Sequence, residues 1–247
     1  MQEQEPDVFE IRKNPLPRLL AEAVVLIDLE GGSGPIDSMD RAALAKASIV
    51  ASAFAIECAA SCCVERMKNY PAGLRTEPER LTSTEKYDLL YQSCKGKRLD
   101  KGIPVFQRIE TLTALRDSLA HAKVGLERGT LKSTGGKNFE FCKAKDAQRP
   151  KKSKHEKWQC LKLPEDTWEW RGEHARHVFV CVVQFLNWFF IDQCELTPKD
   201  AAVLLGSSAD GKAMLNPAEG EILRYASRTL KVAFRFLNLE GPESPAH

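Results

Sequence analysis

Arg116, Asp117 and His121 are the residues of this sequence whose types and spacing best suit catalysis. They lie at the end of a segment with helical periodicity. On a helix, Arg116 and His121 are separated by about 140° of rotation and roughly 7.5 Å of rise, so the long arginine side chain can swing towards the imidazole. Asp117 precedes His121 by four residues and shares its face, so its carboxylate can accept a hydrogen bond from one ring nitrogen. The other ring nitrogen is then aimed outwards.

An imidazole and a guanidinium presented together suit the cleavage of RNA. RNA carries its own nucleophile, the 2′-hydroxyl beside the scissile phosphate. An imidazole, whose ordinary pKa is about 6.5, can take that proton or donate one to the departing 5′-oxygen. A guanidinium can hold the non-bridging phosphate oxygens bidentately as charge accumulates in the transition state. The products are a 2′,3′-cyclic phosphate and a 5′-hydroxyl, and this chemistry requires neither a metal nor a cofactor.

A two-fold dimer that apposes this helix to its copy would bring two histidines and two arginines to one cleft. One imidazole could then act as the base and the other as the acid. The structural alternative is that Arg116 and His121 only satisfy carbonyl groups and the dipole at a helix end.

The composition excludes a disordered chain and a small disulfide-rich one. Of 247 residues, 43% are hydrophobic and 28% charged, which are globular values. The eight cysteines are spread through a long chain, and several lie in apolar helical patterns, which favours reduced, buried thiols. The acidic start does not resemble a secretory signal. The most apolar run, residues 178–191, has 14 residues, too few to cross a bilayer, so we expect a cytoplasmic protein with no membrane association.

The elements that must position these residues are helices. Helical periodicity, capping residues and Gly or Pro breaks predict helices at about 16–29, 38–69, 82–94, 102–123, 165–195, from 197 and over 218–239. Alternating patterns predict short strands at 138–142 and 157–163. The fold class is therefore all-α, with a small β-hairpin or a loop insertion at about 126–164. We divide the chain into an N-terminal helix and linker (1–37), a helical bundle that contains the insertion (38–195) and a C-terminal helical extension (196–247).

The run Leu115 to Lys123, which follows a long helix with an embedded acid, Glu57, resembles the HEPN superfamily (higher eukaryote and prokaryote nucleotide-binding). The segment from Gly102 to Phe106 looks like bacterial members in particular. The resemblance covers roughly residues 40–194. It implies an all-α bundle, a homodimer and a metal-independent ribonuclease in microbial defence or stress, with His121 as the acid or base. It also implies that Arg116 clamps the transition state, and Asp117 conforms to the residue usual after that arginine.

The remaining roles follow from the residues themselves. Asp117 is expected to orient His121, and Glu57 to form a salt bridge or orient a side chain. The competing interpretation is a non-catalytic HEPN-like module that binds a nucleotide, an RNA or a protein, and a regulatory protein partner is compatible with both.

A strongly basic segment follows the Arg116–His121 run. Residues 128–162 contain eleven Lys or Arg and three acidic residues, a net charge of +8. Lysines there can neutralise phosphates, and aromatic rings can stack on unpaired bases. The candidate RNA-binding residues are Lys123, Lys132, Lys143, Lys145, Lys151, Lys152, Lys154 and Trp158. The alternative is a solvated insertion whose charge only keeps it soluble.

Two further groups of residues are explained better by packing in the protein core than by metal binding or redox chemistry. His174, His177 and Cys181 share one helical face, as metal ligands can, but a fourth ligand has no obvious source. The expectation is therefore no metal site, with a metal-dependent hydrolase as a third class of function. Cys58 and Cys62 are explained better as small buried residues at a helix contact than as metal or redox groups.

Overall fold

Helices make up most of the structure, as the sequence predicts. The computed structural model describes residues 11–32, 34, 36–66, 80–120, 129–133, 139–143, 158–164, 166–209 and 211–239. The helices in this part are α1 (Leu16–Gly31), α2 (Ser38–Arg66), α3 (Ser83–Lys95), α4 (Pro104–Ala120), α5 (Gly172–Leu186), α6 (Pro198–Leu205) and α7 (Pro217–Leu230). The strands are β1 (Ile11–Arg12), β2 (Gly129–Ser133), β3 (Phe139–Lys143), β4 (Ser207–Ala209) and β5 (Lys212–Met214). The all-α fold class is confirmed.

The long helix α2 is the centre of the bundle, and α1, α3, α4 and α5 pack around it. Its inward face carries small or branched residues that are at most 3% exposed: Ala45, Ile49, Ala53, Ile56, Ala59, Ala60. Small side chains let neighbouring helix axes approach closely, and the gaps are filled by larger residues from those helices. Tyr87 of α3 is one of these, since its ring contacts Phe185, Phe189 and Phe190 edge-on and its hydroxyl donates to the Ile56 carbonyl oxygen at 2.7 Å.

The capping signals of the sequence are confirmed in the structure. Thr82 and Glu85 form a reciprocal capping box at the start of α3. The Thr197 side chain accepts from the Asp200 backbone N–H at α6, and Asn216 accepts from Ala218 at α7. These local bonds satisfy N–H groups that no helix can satisfy internally, which is why the helix starts are readable from the sequence.

Two predicted boundaries and one predicted strand are wrong. The helix expected from residue 165 begins at Gly172, because Asp166 instead caps a 3-10 turn over Thr167–Glu169. The last helix ends at Leu230, since Lys231 adopts the left-handed conformation and stops it. The predicted strand 138–142 is confirmed as β3, paired with β2, whereas the described part of 157–163 forms a tight turn in which Leu161 N–H donates to the Trp158 carbonyl oxygen.

A small antiparallel sheet that the sequence did not indicate joins the two ends of the chain. Its strand order is β1-β4-β5, so residues 11–12 pair with residues 208–209. The C-terminal part is also anchored to the end of α5, which continues as a π-helix over Asn187–Gln193. There the Asn187 side chain donates to the Ala233 carbonyl oxygen at 2.6 Å and accepts from the Phe236 N–H.

Among the residues that the structure describes, two helical stretches, Ser38–Glu65 and Gly172–Gln193, are long and apolar enough to cross a membrane. The second extends beyond the run 178–191 that the sequence pattern singled out. In each stretch 61% of the most apolar window is buried inside the bundle. Core helices of soluble proteins satisfy the same criteria, so these stretches are weak evidence for a membrane span.

Candidate active site

Helix α4 positions Arg116 beside α2. The helix opens with Pro104, which needs no hydrogen-bond partner for its nitrogen at a first-turn position. Its buried residues, Phe106, Ile109, Leu112 and Leu115, are spaced to form one face against the core. Arg116 follows the last of them, so it sits at the edge of this face, and its side chain is 20% exposed.

The guanidinium of Arg116 contacts two residues of α2. It forms an ion pair with the Glu57 carboxylate, whose side chain is 26% exposed. Its central carbon also lies 5.7 Å from the ring centroid of Phe54, one turn earlier on the same helix, which is within the range of a cation–π contact. Phe54 and Glu57 are three residues apart and are therefore neighbours on the helix surface, where both contact the guanidinium. We call this pair of residues the seat of Arg116.

A second carboxylate lies against the same guanidinium. Arg116 Nη1 forms an ion pair with Asp117 Oδ1 at 2.8 Å, and the Asp117 side chain is 55% exposed. Within the described residues, Arg116 Nε is buried without a hydrogen-bond partner. The trio of Glu57, Arg116 and Asp117 has a formal charge of −1, so an anionic ligand must first displace a carboxylate. The exposed Asp117 is the easier of the two to displace, because water can solvate it as it leaves.

The other predicted catalytic residue, His121, lies outside the described residues, as does Lys123. The predicted helix end at 123 is described only to Ala120, which directly precedes His121. The expected pairing of Asp117 with His121 is therefore untested, while Asp117 contacts the adjacent Arg116 in the structure. The expectation that Glu57 forms a salt bridge agrees with its contact to Arg116.

The predicted RNA-binding residues fall mainly in the basic segment. Lys145, Lys151, Lys152 and Lys154 lie outside the described residues, and of Lys132 and Lys143 only the backbone, in β2 and β3, is described. Trp158 is partly buried, and its ring meets that of the buried Trp170 edge-on with centroids 6.3 Å apart. The structure therefore brings none of these side chains to Arg116 within its described ranges.

The sequence argument did not identify Phe54 as a contact of Arg116. The sequence does contain an indication of this contact. Phe54 precedes Glu57 by three residues, so on a helix its aromatic ring lies beside the acid already identified. It also did not identify the outward face of α2, where Met39 is 61% exposed and Phe54 is 42% exposed. Two clefts of about 400 and 570 Å³ open elsewhere on the molecule, and Arg116 lines neither.

The residues weighed as metal ligands serve other purposes. The His174 ring accepts a hydrogen bond from the Arg171 backbone N–H through Nδ1, which closes the first turn of α5. The His177 ring lies 3.7 Å from the Cys181 sulfur, and burial, followed by the nearby charges of Lys162 and Arg108, lowers the pKa of His177. No three His, Cys, Asp or Glu side chains converge as a metal site in the part of the chain that the structure describes.

Comparisons with known proteins add no relative: no family model, no curated protein and no solved structure matches this chain.

Proposed function

We propose that this chain is a HEPN-like, metal-independent endoribonuclease that cleaves RNA by attack of the 2′-hydroxyl on the adjacent phosphate. The observation that supports it most is the seat of Arg116. Glu57 and Phe54 of α2 hold its guanidinium at the edge of α4, and His121 follows the last described residue of that helix in the sequence. A preorganised cation beside a histidine is what charge build-up on a phosphodiester requires.

In this proposal each residue of the site has a separate role. Arg116 holds the non-bridging oxygens of the scissile phosphate, and His121 transfers the proton. Glu57, the less exposed acid, keeps the guanidinium oriented, whereas the more exposed Asp117 gives up its contact when the phosphate arrives. Because Asp117 precedes His121 by four residues, the released carboxylate can orient the imidazole. Lysines of the segment 128–162 and Lys123 hold the flanking RNA backbone.

A second copy of the chain completes the site in this proposal. Helix α2 has an outward row of residues at alternating spacings of three and four, the spacing of a helix that packs against another helix. Its members are exposed or half-buried and mostly small or apolar: Ala43, Ala47, Val50, Phe54, Glu57, Ser61. A two-fold axis near this row brings together both copies of Arg116, so that the two chains form one shared site. The setting we propose is cytoplasmic defence or stress, with activity open to control by a partner protein.

The competing function is a HEPN-like module that binds a nucleotide, an RNA or a protein without cutting. One observation favours it: two carboxylates already occupy the Arg116 guanidinium. In this competing function the arginine joins α2 to α4 through these contacts and holds no phosphate. The two functions differ in whether any phosphodiester bond is broken.

The deciding experiment incubates the purified protein with total RNA in the presence of EDTA. We expect cleavage that leaves 2′,3′-cyclic phosphate ends, that persists in EDTA and that is lost in His121→Ala. His177→Asn is the matched histidine control, since His177 lies on α5 among Cys181 and His174 and should leave cleavage unchanged. Equal cutting by the wild type and His121→Ala rejects the catalytic assignment. Intact RNA throughout, with RNA binding weakened by Arg116→Ala, supports the non-catalytic module.

The dimer is tested separately by sedimentation. We expect the wild type to sediment as a dimer and Ala47→Glu, which places a charge in the outward row of α2, to sediment as a monomer that no longer cuts. Ala114→Glu, at an exposed position of α4, is the control for an added surface charge. A wild-type monomer that cuts RNA at full rate contradicts the shared site.

A further inference from the structure

Asn14 holds two cysteine sulfurs of α2 with one amide group. Its Nδ2 donates to Cys62 Sγ at 2.9 Å, and Cys58 Sγ donates to its Oδ1 at 3.0 Å. Cys58 and Cys62 are four residues apart and lie on consecutive turns, so both face the connection between β1 and α1 where Asn14 sits. Because the amide donates to one sulfur and accepts from the other, it distinguishes them: Cys58 is held as a thiol, and Cys62 as the acceptor.

The surrounding charges act on the two sulfurs in opposite directions. The neighbouring Cys58 thiol, followed by the Asn14 amide and the Arg12 cation on β1, lowers the pKa of Cys62 against the effects of burial and of Glu65. The neighbouring Cys62 sulfur and burial raise the pKa of Cys58. Burial raises the pKa of Tyr87 on α3, whose hydroxyl donates to the Ile56 carbonyl oxygen of α2.

A second contact of Cys62 stabilises its protonated form. Cys62 Sγ lies 3.3 Å from the Cys58 carbonyl oxygen, which accepts the proton of the thiol. The thiol and thiolate forms of Cys62 therefore both have partners in this cluster.

The two cysteines differ in exposure. The Cys62 residue is only 4% exposed, whereas Cys58 is partly exposed. Arg12 and Glu65, which act electrostatically on Cys62, line a cleft of about 400 Å³ together with Lys199 and Ser208, and neither cysteine is among its lining residues. A pair this buried leaves no room for a protein or a nucleotide, so the oxidant that suits it is a small one.

We propose that Cys58 and Cys62 form a reversible oxidation site, in which a hydroperoxide oxidises Cys62 and Cys58 then closes a disulfide with it. The Cys62 thiolate attacks the peroxide O–O bond, which leaves a sulfenic acid on Cys62 and releases an alcohol, or water when the oxidant is hydrogen peroxide. The Cys58 sulfur then attacks the Cys62 sulfur, loses its proton, and expels hydroxide as water. The two thiols thus supply the two electrons that the hydroperoxide gains.

The disulfide requires α2 to tighten locally. Residues four apart on a helix have Cβ atoms about 5–6 Å apart, whereas a disulfide holds them at about 4 Å. The bond therefore forms at the expense of regular helix geometry and is readily reduced by a dithiol. A labile disulfide of this kind suits a reversible signal better than permanent stabilisation.

Oxidation removes both sulfur partners of Asn14. The same residue accepts from the Leu16 N–H at 3.0 Å, which opens α1, and its backbone N–H donates to Ser207 Oγ at 3.2 Å on β4. The state of the two thiols is thereby coupled to the pairing of β1 with β4. We expect oxidation to loosen residues 11–16 and 207–209 while the bundle core stays folded.

The test treats the reduced full-length protein with hydrogen peroxide, blocks the remaining thiols by alkylation and maps the cysteines by mass spectrometry. Cys94 is the exposed reference thiol, and Cys63 is the fully buried neighbour whose pKa burial raises. We expect a Cys58–Cys62 disulfide to form before Cys94 reacts and to disappear on addition of dithiothreitol. Preferential oxidation of Cys94, or a disulfide that uses Cys63, overturns the proposal.

Single substitutions separate the two chemical steps. Cys58→Ser should stop the reaction at the sulfenic acid of Cys62, which dimedone traps, and Cys62→Ser should leave Cys58 unoxidised. Cys63→Ser is the matched control and should behave as the wild type. Oxidation of Cys58 that proceeds normally in Cys62→Ser contradicts the assigned order. Hydrogen exchange then measures residues 11–16 and 207–209, and unchanged exchange after oxidation contradicts the release of Asn14.

Discussion

Glu57 and Cys58 are adjacent in α2 but belong to two polar clusters of opposite character. Glu57 points to the surface and pairs with Arg116 of α4, so that cluster consists of full charges and is partly exposed. Cys58 belongs with Cys62 and Asn14, a cluster of weak donors and acceptors that links α2 to the start of α1. One step along the helix, about 100° of rotation, separates the two environments.

The difference shows that solvent exposure determines which kind of polar interaction each cluster on this helix forms. Charged groups remain solvated and exchangeable where water reaches them, and in the proposed nuclease the Arg116 cluster exchanges a carboxylate for a phosphate. Buried polar groups must satisfy one another, and the Asn14 cluster does so with hydrogen bonds at 2.9 and 3.0 Å. That cluster is therefore closed to large ligands.

The largest expected effect is on the charged cluster. If the proposed nuclease is correct, Arg116→Ala should lower the rate of RNA cleavage by about 10²–10³-fold, because the clamp on the transition-state charge is lost. Gel assays with end-labelled RNA measure the rate, and Arg176→Ala, an exposed arginine of α5, is the control. Far-UV circular dichroism must show that the variant is folded. Cleavage at the wild-type rate by a folded Arg116→Ala would remove the guanidinium from the mechanism.

The second-largest expected effect is a loss of stability, caused by a substitution in the buried Asn14 cluster. Asn14→Ala removes three side-chain hydrogen bonds, to Cys58, Cys62 and the Leu16 N–H, at a residue that is 9% exposed. At about 1 kcal/mol each, we expect a loss of roughly 2–3 kcal/mol in the free energy of unfolding, measured with urea. Added salt should not change this loss, because the contacts carry no full charge pair.

The control for that measurement is Asn216→Ala. Asn216 is exposed and caps α7 through a single hydrogen bond, so its loss should cost about 1 kcal/mol. Equal costs for Asn14→Ala and Asn216→Ala would contradict the cooperative role assigned to Asn14.

The two clusters were not equally predictable from the sequence. Arg116, Asp117 and Glu57 could be identified because charged residues in apolar helical patterns are conspicuous, and a helix spacing places their faces. Asn14 could not, because it lies 44 positions from Cys58 and contacts it only after α1 and α2 have packed. The strands β1, β4 and β5 have two or three residues each, too short for a periodic pattern.

Competition between neighbours also limits what spacing can predict. The helix rule placed Asp117 beside His121, four residues on, but it did not indicate that the carboxylate also contacts the adjacent Arg116, at 2.8 Å. A periodicity argument ranks positions by their angle around the helix. It does not rank two partners of the same acid by energy.

A third, smaller effect tests whether the Glu57 carboxylate acts by orienting the Arg116 guanidinium. Glu57→Gln keeps the size of the side chain but removes its charge, so the guanidinium stays near α2 and is held less firmly. We expect cleavage to fall by about tenfold, the lower end of the effect of a lost supporting contact. Because both residues act as one unit, the double variant Glu57→Gln/Arg116→Ala should cut no more slowly than Arg116→Ala alone. Additive losses would mean that Glu57 acts independently of Arg116.

The smallest effect concerns the aromatic part of the seat. Phe54→Leu keeps an apolar side chain on α2 but removes the ring face that Arg116 lies over, so the free energy of unfolding should fall by about 0.5–1 kcal/mol. The same substitution made in Arg116→Ala measures how much of this loss is due to the cation, because the cation–π term is absent there. The cycle must be run where both backgrounds have the same oligomeric state, since Phe54 also lies in the outward row of α2. An equal loss in both backgrounds would show that Phe54 supports packing alone, and the seat of the guanidinium would then reduce to Glu57.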